Sequence, residues 1–131
     1  MLSALFLIVN KKLLDSNIFI YAASGAHNYL HSLLEDEQNG CSVIACIEVL
    51  VFPSLKLDEK DFYERAFEAL HVITLSDEVK NKAIEIRQQM KISLGDSIIA
   101  ATALCWQATL FTRNVDYFKN IEGLLVVNPV H

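Results

Sequence analysis

Four acidic residues stand out because their neighbours are apolar or because they end an apolar segment. Asp15 and Asp116 each follow a short apolar segment, and Asp96 opens the most hydrophobic predicted helix. Glu48 lies within the apolar stretch from Ile44 to Val51, where an acid is costly to bury unless it is paired, metal-bound or protonated. Glu48 therefore favours a functional role even when it is considered alone.

The other three acids also have ordinary structural interpretations. Asp15 could end a strand or cap the helix that begins near Ile18. Asp96 could be a helix cap or a first-turn acid that complements the helix dipole. Asp116 could cap a short turn. The sequence around each of these residues leaves both interpretations open.

A cluster of four carboxylates has a definite chemical consequence. The charges repel one another and raise one another's pKa values, and a divalent cation removes that penalty. Ligand sets made only of oxygen favour hard ions such as Mg²⁺ or Mn²⁺ over zinc. Such an ion can polarise a phosphate and activate water, so the pattern predicts phosphodiester hydrolysis.

The elements that would bring these acids together alternate along the chain. Short apolar strands are predicted at 13–14, 41–44, 71–75, 109–112 and 124–127, and helices at 18–23, 28–38, 45–52, 58–70, a segment starting at 76–78, and 97–107. This alternation predicts an α/β fold: a three-layer α/β/α sandwich with a mostly parallel, roughly five-stranded sheet. Ligands of such sheets bind beyond the carboxyl ends of the strands.

Composition narrows the classes of protein further. The chain has 131 residues, 16 acidic against 11 basic, and a net charge of −5, which argues against a protein that coats nucleic acid. No apolar run approaches the ~18–20 residues of a membrane span. Three dispersed cysteines indicate buried thiols and a cytoplasmic protein. We expect a single domain over 1–131, with 1–10 as a possible N-terminal extension.

Four motifs together resemble those of the PIN-domain ribonucleases. They are Leu14-Asp15-Ser16-Asn17-Ile18, Val43-Ile44-Ala45-Cys46-Ile47-Glu48, the segment from Leu94 to Ala103 around Asp96, and Thr112-Arg113-Asn114-Val115-Asp116-Tyr117. Their order and spacing agree with the family from about Lys12 to Pro129. The resemblance is strongest to the toxin subunits of VapBC-type toxin–antitoxin pairs.

The resemblance implies a catalytic site and its partners. Asp15 and Asp96 would be direct ligands of Mg²⁺ or Mn²⁺, with Glu48 and Asp116 completing the metal site. Ser16 and Asn114 would support these acids. The implied activity is endonucleolytic cleavage of RNA by a homodimer that a cognate antitoxin inhibits.

Two other functions remain open at this stage. The chain could be a PIN-like interaction module without catalytic activity. It could also be a haloacid-dehalogenase-type phosphohydrolase with Asp15 as nucleophile, although Asn17 stands where that family needs a second Asp. Arg113 could bind a phosphate or pair with an acid. No aromatic platform for stacking bases is expected, since Trp106, Tyr63 and the phenylalanines are interpreted as core or dimer surface.

Overall fold

The sheet at the centre of the molecule is parallel throughout. In the computed structural model, which describes residues 11–131, its strands are β1 (Lys12–Leu14), β2 (Gly40–Ser42), β3 (His71–Ile73), β4 (Thr109–Phe111) and β5 (Val126–Val127). They are hydrogen-bonded in the order β3-β2-β1-β4-β5. The predicted parallel five-stranded sheet is therefore confirmed.

Helices cover both faces of this sheet. They are α1 (Ser16–Ala23), α2 (His31–Glu35), α3 (Val43–Leu50), α4 (Leu57–Ala69), α5 (Asp77–Gln89), α6 (Leu94–Trp106) and α7 (Val115–Phe118). Side chains of α1 to α4 form one hydrophobic cluster, and those of α5 to α7 form most of the other. Leu13 belongs to the second cluster and Leu14 to the first, because successive strand residues point to opposite faces. The predicted three-layer sandwich is confirmed.

The strand order reverses at β1, and this reversal creates the crevice. The chain runs from β1 outward to β2 and β3, then crosses to the other side of β1 for β4 and β5. Leu14 pairs in register with Phe111, so the next residues of these strands, Asp15 and Thr112, lie side by side. Polar residues at such a switch point are well placed to bind a ligand.

Two predicted boundaries differ from the structure because polar side chains bond to nearby backbone. The strand predicted at 41–44 ends at Ser42, whose side chain accepts a hydrogen bond from Ile44 N at 3.1 Å and caps α3. The helix predicted at 28–38 is a 3₁₀ turn (Asn28–Leu30) followed by α2. It stops early because Asp36 Oδ1 accepts a bond from Gln38 N at 3.0 Å and forms a turn.

Gly40 allows the close packing of β2 against its surroundings. A Cβ at this position would lie 2.7 Å from the carbonyl oxygen of His71 and 2.9 Å from the indole of Trp106. Any larger residue would therefore push β3 or the end of α6 away from β2.

Two further expectations concern the ends of the chain and the membrane. The possible N-terminal extension, residues 1–10, lies outside the described residues. Between residues 11 and 131, no helix has the length and apolar character that crossing a bilayer requires.

Candidate active site

Asp15 lies at the carboxyl end of β1, where it is both a helix cap and a buried acid. Its backbone N–H donates to Phe111 O at 2.9 Å, and its carboxylate accepts a bond from Ser16 N at 2.8 Å. A residue that follows the neighbouring strand β4 also holds its side chain, since the Thr112 hydroxyl donates to Asp15 Oδ2 at 2.7 Å. Only 3% of Asp15 is exposed. The structural and functional interpretations of this residue are therefore compatible.

The charge on Asp15 is costly in the metal-free protein. Burial raises the pKa of its carboxyl, and the nearby Asp96 carboxylate raises it further. The hydrogen bonds from Thr112 and Ser16 act in the opposite direction and lower it. The effect of burial is the larger one, so the pKa of Asp15 is raised overall. The buried charge therefore lowers the stability of the folded protein.

Glu48 lies on α3 with its carboxylate near those of Asp15 and Asp96, and one of its oxygens, Oε1, is buried and has no hydrogen-bond partner among the described residues. Burial raises the pKa of Glu48, and the carboxylates of Asp15 and Asp96 raise it further. The absence of a side chain at Gly95 allows α6 to approach, because a Cβ there would lie only 3.4 Å from Glu48 Oε2.

Asp96 lies in the first turn of α6 and is fixed by the residue that caps this helix. Ser93 Oγ accepts a bond from Asp96 N at 3.1 Å and donates to Asp96 Oδ2 at 2.9 Å. This reciprocal arrangement orients the carboxylate near the positive end of the helix dipole. Of the two structural roles that the sequence left open, Asp96 has that of a first-turn acid.

The structure thus brings together Asp15, Glu48 and Asp96 from three different elements. Within residues 11–131, no three acidic, histidine or cysteine side chains already enclose a metal position. A closed cage is not required for Mg²⁺, which keeps several waters and binds through one or two carboxylates. The oxygen-only donor set and the buried, unpartnered Glu48 Oε1 fit a hard divalent cation.

Asp116 lies at the rim rather than in this cluster. Its side chain is 93% exposed, and its Oδ1 is 3.0 Å from Lys119 Nζ. It lines an open groove together with Asp96, Arg113 and Asn114. Asn114 is exposed, and its backbone N–H donates to the Thr112 hydroxyl at 3.1 Å. The structure places both predicted residues beside the carboxylates without direct contact to Asp15 or Glu48.

Ser16, the other predicted supporting residue, contacts two of the acids. Its hydroxyl donates to Asp15 Oδ1 at 3.5 Å, and its proximity to Glu48 lowers the pKa of that carboxyl. A search of the sequence for acids alone does not find two further residues of the site, Thr112 and Asn17. Asn17 Nδ2 lies 3.3 Å from both Asp15 Oδ2 and Thr112 Oγ1. Thr112 follows β4 just as Asp15 follows β1, and this parallel is the signal that could have identified it.

Arg113 beside the site and the lysines of α5 differ in how they are paired. Arg113 lies over the ring of Tyr21, 5.2 Å from its centre, and forms no ion pair with an acid of the described residues. On α5, by contrast, Lys80 and Lys82 each lie 3.5 Å from an acid of the same helix. The α5 lysines therefore form a solvated helix face in which they are paired with acids.

Comparison with known proteins identifies the family. The PIN-domain model matches residues 12–124, which include all four predicted acids. The chain belongs to the PIN-domain family. No curated protein sequence matches it. The family and fold predicted from the sequence motifs are confirmed.

Solved PIN-domain structures resemble the chain over nearly its whole length. A chain of a toxin–antitoxin complex from Klebsiella pneumoniae is 31% identical, with a TM-score of 0.75, and the match covers 92% of this chain and 98% of that one. VapBC2 from Rickettsia felis, bound to a DNA fragment from its promoter, is 25% identical with a TM-score of 0.76 over 90% and 98%. FitAcB from Neisseria gonorrhoeae is 26% identical with a TM-score of 0.71 over 92% and 99%.

Proposed function

We propose that this PIN-domain protein is a Mg²⁺- or Mn²⁺-dependent endoribonuclease and the toxin of a toxin–antitoxin pair. The observation that supports the proposal most directly is the convergence of Asp15, Glu48 and Asp96 around a buried, unpartnered carboxylate oxygen. Such an arrangement destabilises the protein without a cation, and a bound cation would offset that cost.

Each residue of the site would have a different role in the reaction. Asp15 and Asp96 would hold the cation, which supplies charge to polarise the scissile phosphate and to make water more acidic. Glu48 Oε1 would accept the proton of the attacking water, a role that suits a carboxyl with a raised pKa. Thr112 and Ser93 would keep the two ligating carboxylates in place. Asp116, at the rim, would orient water or a second ion.

The proposed protein partners are based on the similar solved structures. Because the similar chains come from toxin–antitoxin and VapBC complexes, we propose a cognate antitoxin that blocks the site, and a homodimeric toxin. Three free cysteines accord with a cytoplasmic location, where thiols remain reduced.

The experiment that tests this function is Asp96→Asn, with cleavage of single-stranded RNA measured in Mg²⁺ or Mn²⁺. The amide preserves the bond to Ser93 but removes a ligand charge, so we expect the rate to fall by about 100-fold or more while the fold persists. EDTA should abolish wild-type cleavage. Expression of the wild-type chain in bacteria should arrest growth, and the variant should not.

The matched control is Asp58→Asn, because Asp58 is an exposed first-turn acid of another helix, α4. This variant should cleave RNA at the wild-type rate. Full activity of Asp96→Asn would contradict the site. Calorimetry that detects no Mg²⁺ or Mn²⁺ binding at millimolar metal would instead favour an inactive interaction module.

A further inference from the structure

A row of aromatic rings leads away from the carboxylates across the surface of the protein. The guanidinium of Arg113 lies 5.2 Å from the centre of the Tyr21 ring, and Tyr21 meets the edge of His27 at 5.2 Å. His27 meets Tyr29 at 5.7 Å, and Tyr29 stacks on His131 at 4.5 Å with an interplanar angle of 21°. We refer to these five side chains as the aromatic track.

The aromatic track begins at the active site. Asn17, which donates to Asp15 Oδ2, also accepts a bond from Arg113 N at 3.2 Å. Tyr21 lies one helical turn after Asn17 on α1, so the two side chains share a face of this helix. Arg113 also lines the groove that contains Asp96. A ligand on the aromatic track would therefore extend into the carboxylate cluster.

The two ends of the track are open to solvent, and its middle is partly open. Tyr29 is 41% exposed, Arg113 and His131 are exposed, and Tyr21 and His27 are half-buried. The Tyr29 hydroxyl donates to His131 O at 3.0 Å and lies 3.1 Å from His27 Nδ1, so hydrogen bonds hold three of the rings in place at the surface. The nearly parallel stack of His131 on Tyr29 also has the geometry that a planar base adopts on an aromatic ring.

Two chemical features of the track match one ligand class. The Tyr29 ring, which His131 stacks on and which is 41% exposed, could take an unpaired base, whereas the bases of a duplex are hidden in the helix. The one guanidinium of the track forms no ion pair with an acid of the described residues and is available for a phosphate. The net charge of −5 makes broad electrostatic attraction of nucleic acid unfavourable, so stacking must supply much of the affinity.

We propose that the aromatic track binds single-stranded RNA and guides it into the carboxylate site. The choice of RNA rests on the proposed ribonuclease function, whereas the choice of a single strand rests on the exposed rings. The bases stack along Tyr21, His27 and Tyr29, and Arg113 holds the phosphate nearest the carboxylates. No metal is needed for this contact.

The test is binding of a fluorescein-labelled, randomised RNA of about twelve nucleotides, measured by fluorescence anisotropy in EDTA so that no cleavage occurs. Tyr21→Leu and Tyr29→Leu keep apolar bulk but remove a ring, and each should raise Kd by about 5- to 150-fold. Tyr29→Phe keeps the ring but loses the hydroxyl bonds to His27 and His131, so it should bind RNA more tightly than Tyr29→Leu and more weakly than wild type. Arg113→Gln should reduce the salt dependence of log K by about 0.7.

Matched controls separate this surface from general effects. Phe52→Leu removes an exposed ring, 53% accessible, outside the aromatic track and should leave Kd unchanged. Thermal melting should show that the tyrosine variants fold. A duplex of the same length should bind far more weakly than the single strand.

Failure of the track and failure of the proposed function give different results. If the wild-type protein cleaves no RNA but the leucine variants bind RNA more weakly than wild type, the proposed ribonuclease function is wrong and the proposed binding surface is supported. The track is wrong if wild-type protein binds no single-stranded RNA in EDTA, if duplex binds equally well, or if the leucine variants bind like wild type. Leucine variants that keep RNA binding but lose a protein partner would likewise overturn it.

Discussion

Replacement of Glu48 by glutamine should make the metal-free protein more stable while removing its activity. In the wild-type protein, the carboxylate of Glu48 is held near those of Asp15 and Asp96, and its Oε1 is buried without a partner. The glutamine amide has nearly the same shape, carries no charge and can donate a hydrogen bond to a neighbouring carboxylate. We therefore expect Glu48→Gln to raise the free energy of unfolding in EDTA.

The size of this effect follows from the unpartnered oxygen. A buried polar atom without a hydrogen bond costs about 1–3 kcal/mol, and the substitution relieves part of that cost together with the repulsion between carboxylates. We expect a gain of about 1–2 kcal/mol at pH 7. For a chain of this length, that gain corresponds to a rise in Tm of about 3–7 °C.

The pH dependence of the gain identifies its origin. The folded pKa of Glu48 is raised above its ordinary value of 4.5, so between these two values the folded state binds more protons than the unfolded state. The stability of the wild-type protein therefore falls as pH rises through this range, and the penalty is complete above the folded pKa. The advantage of Glu48→Gln should be largest near neutral pH and should disappear below pH 4.5.

The assay is urea unfolding of both proteins in EDTA at neutral and acidic pH, repeated with Mg²⁺. Added Mg²⁺ should stabilise the wild-type protein more than the variant and so reduce or reverse the difference. Glu68→Gln, an exposed acid on α4, is the control and should change stability by less than about 0.5 kcal/mol. The reasoning fails if Glu48→Gln is no more stable than wild type at pH 7, or if its gain is equally large at pH 4.

Two further substitutions test the support of the site and the packing of the sheet. Thr112→Val removes the donor that does most to lower the pKa of Asp15, so the pH profile of cleavage should shift toward higher pH, whereas Thr112→Ser should keep the wild-type profile. Gly40→Ala places a Cβ 2.7 Å from the carbonyl oxygen of His71 and 2.9 Å from Trp106, so the free energy of unfolding should fall by about 1–3 kcal/mol in urea titrations. An unchanged pH profile or an unchanged urea midpoint would contradict these two predictions.

The sequence predicts the layers of the fold because strands and helices alternate and the strands are uniformly apolar. It predicts the residues of the cluster because acids are rare in apolar surroundings, and Glu48 is the clearest example. It does not predict boundaries that depend on single side-chain bonds. Ser42 starts α3 within the predicted strand, and Asp36 stops α2 early, because each competes for nearby backbone groups.

Site residues that come together only through strand pairing are harder to predict from the sequence. Thr112 contacts Asp15 across 97 positions of sequence, and only the in-register pairing of β1 with β4 brings the two together. The proposed aromatic track combines residues from α1, from the loop after it and from after β4, so no local sequence pattern predicts it, and the RNA-binding test above decides between it and the expectation that the protein has no stacking platform. Asp116 remains a prediction, since its carboxylate pairs with Lys119 at the rim.

The carboxylate cluster and the aromatic track impose different requirements on RNA binding. Without a cation, the carboxylates of Asp15, Glu48 and Asp96 repel a phosphate, so metal-free affinity must come from stacking on the track. With a cation bound, the same phosphate is attracted, and metal should therefore tighten RNA binding. Because such coupling is reciprocal, RNA bound on the track should tighten metal binding by the same factor. Calorimetric titration of metal into Glu48→Gln with and without RNA would measure that factor in the absence of cleavage.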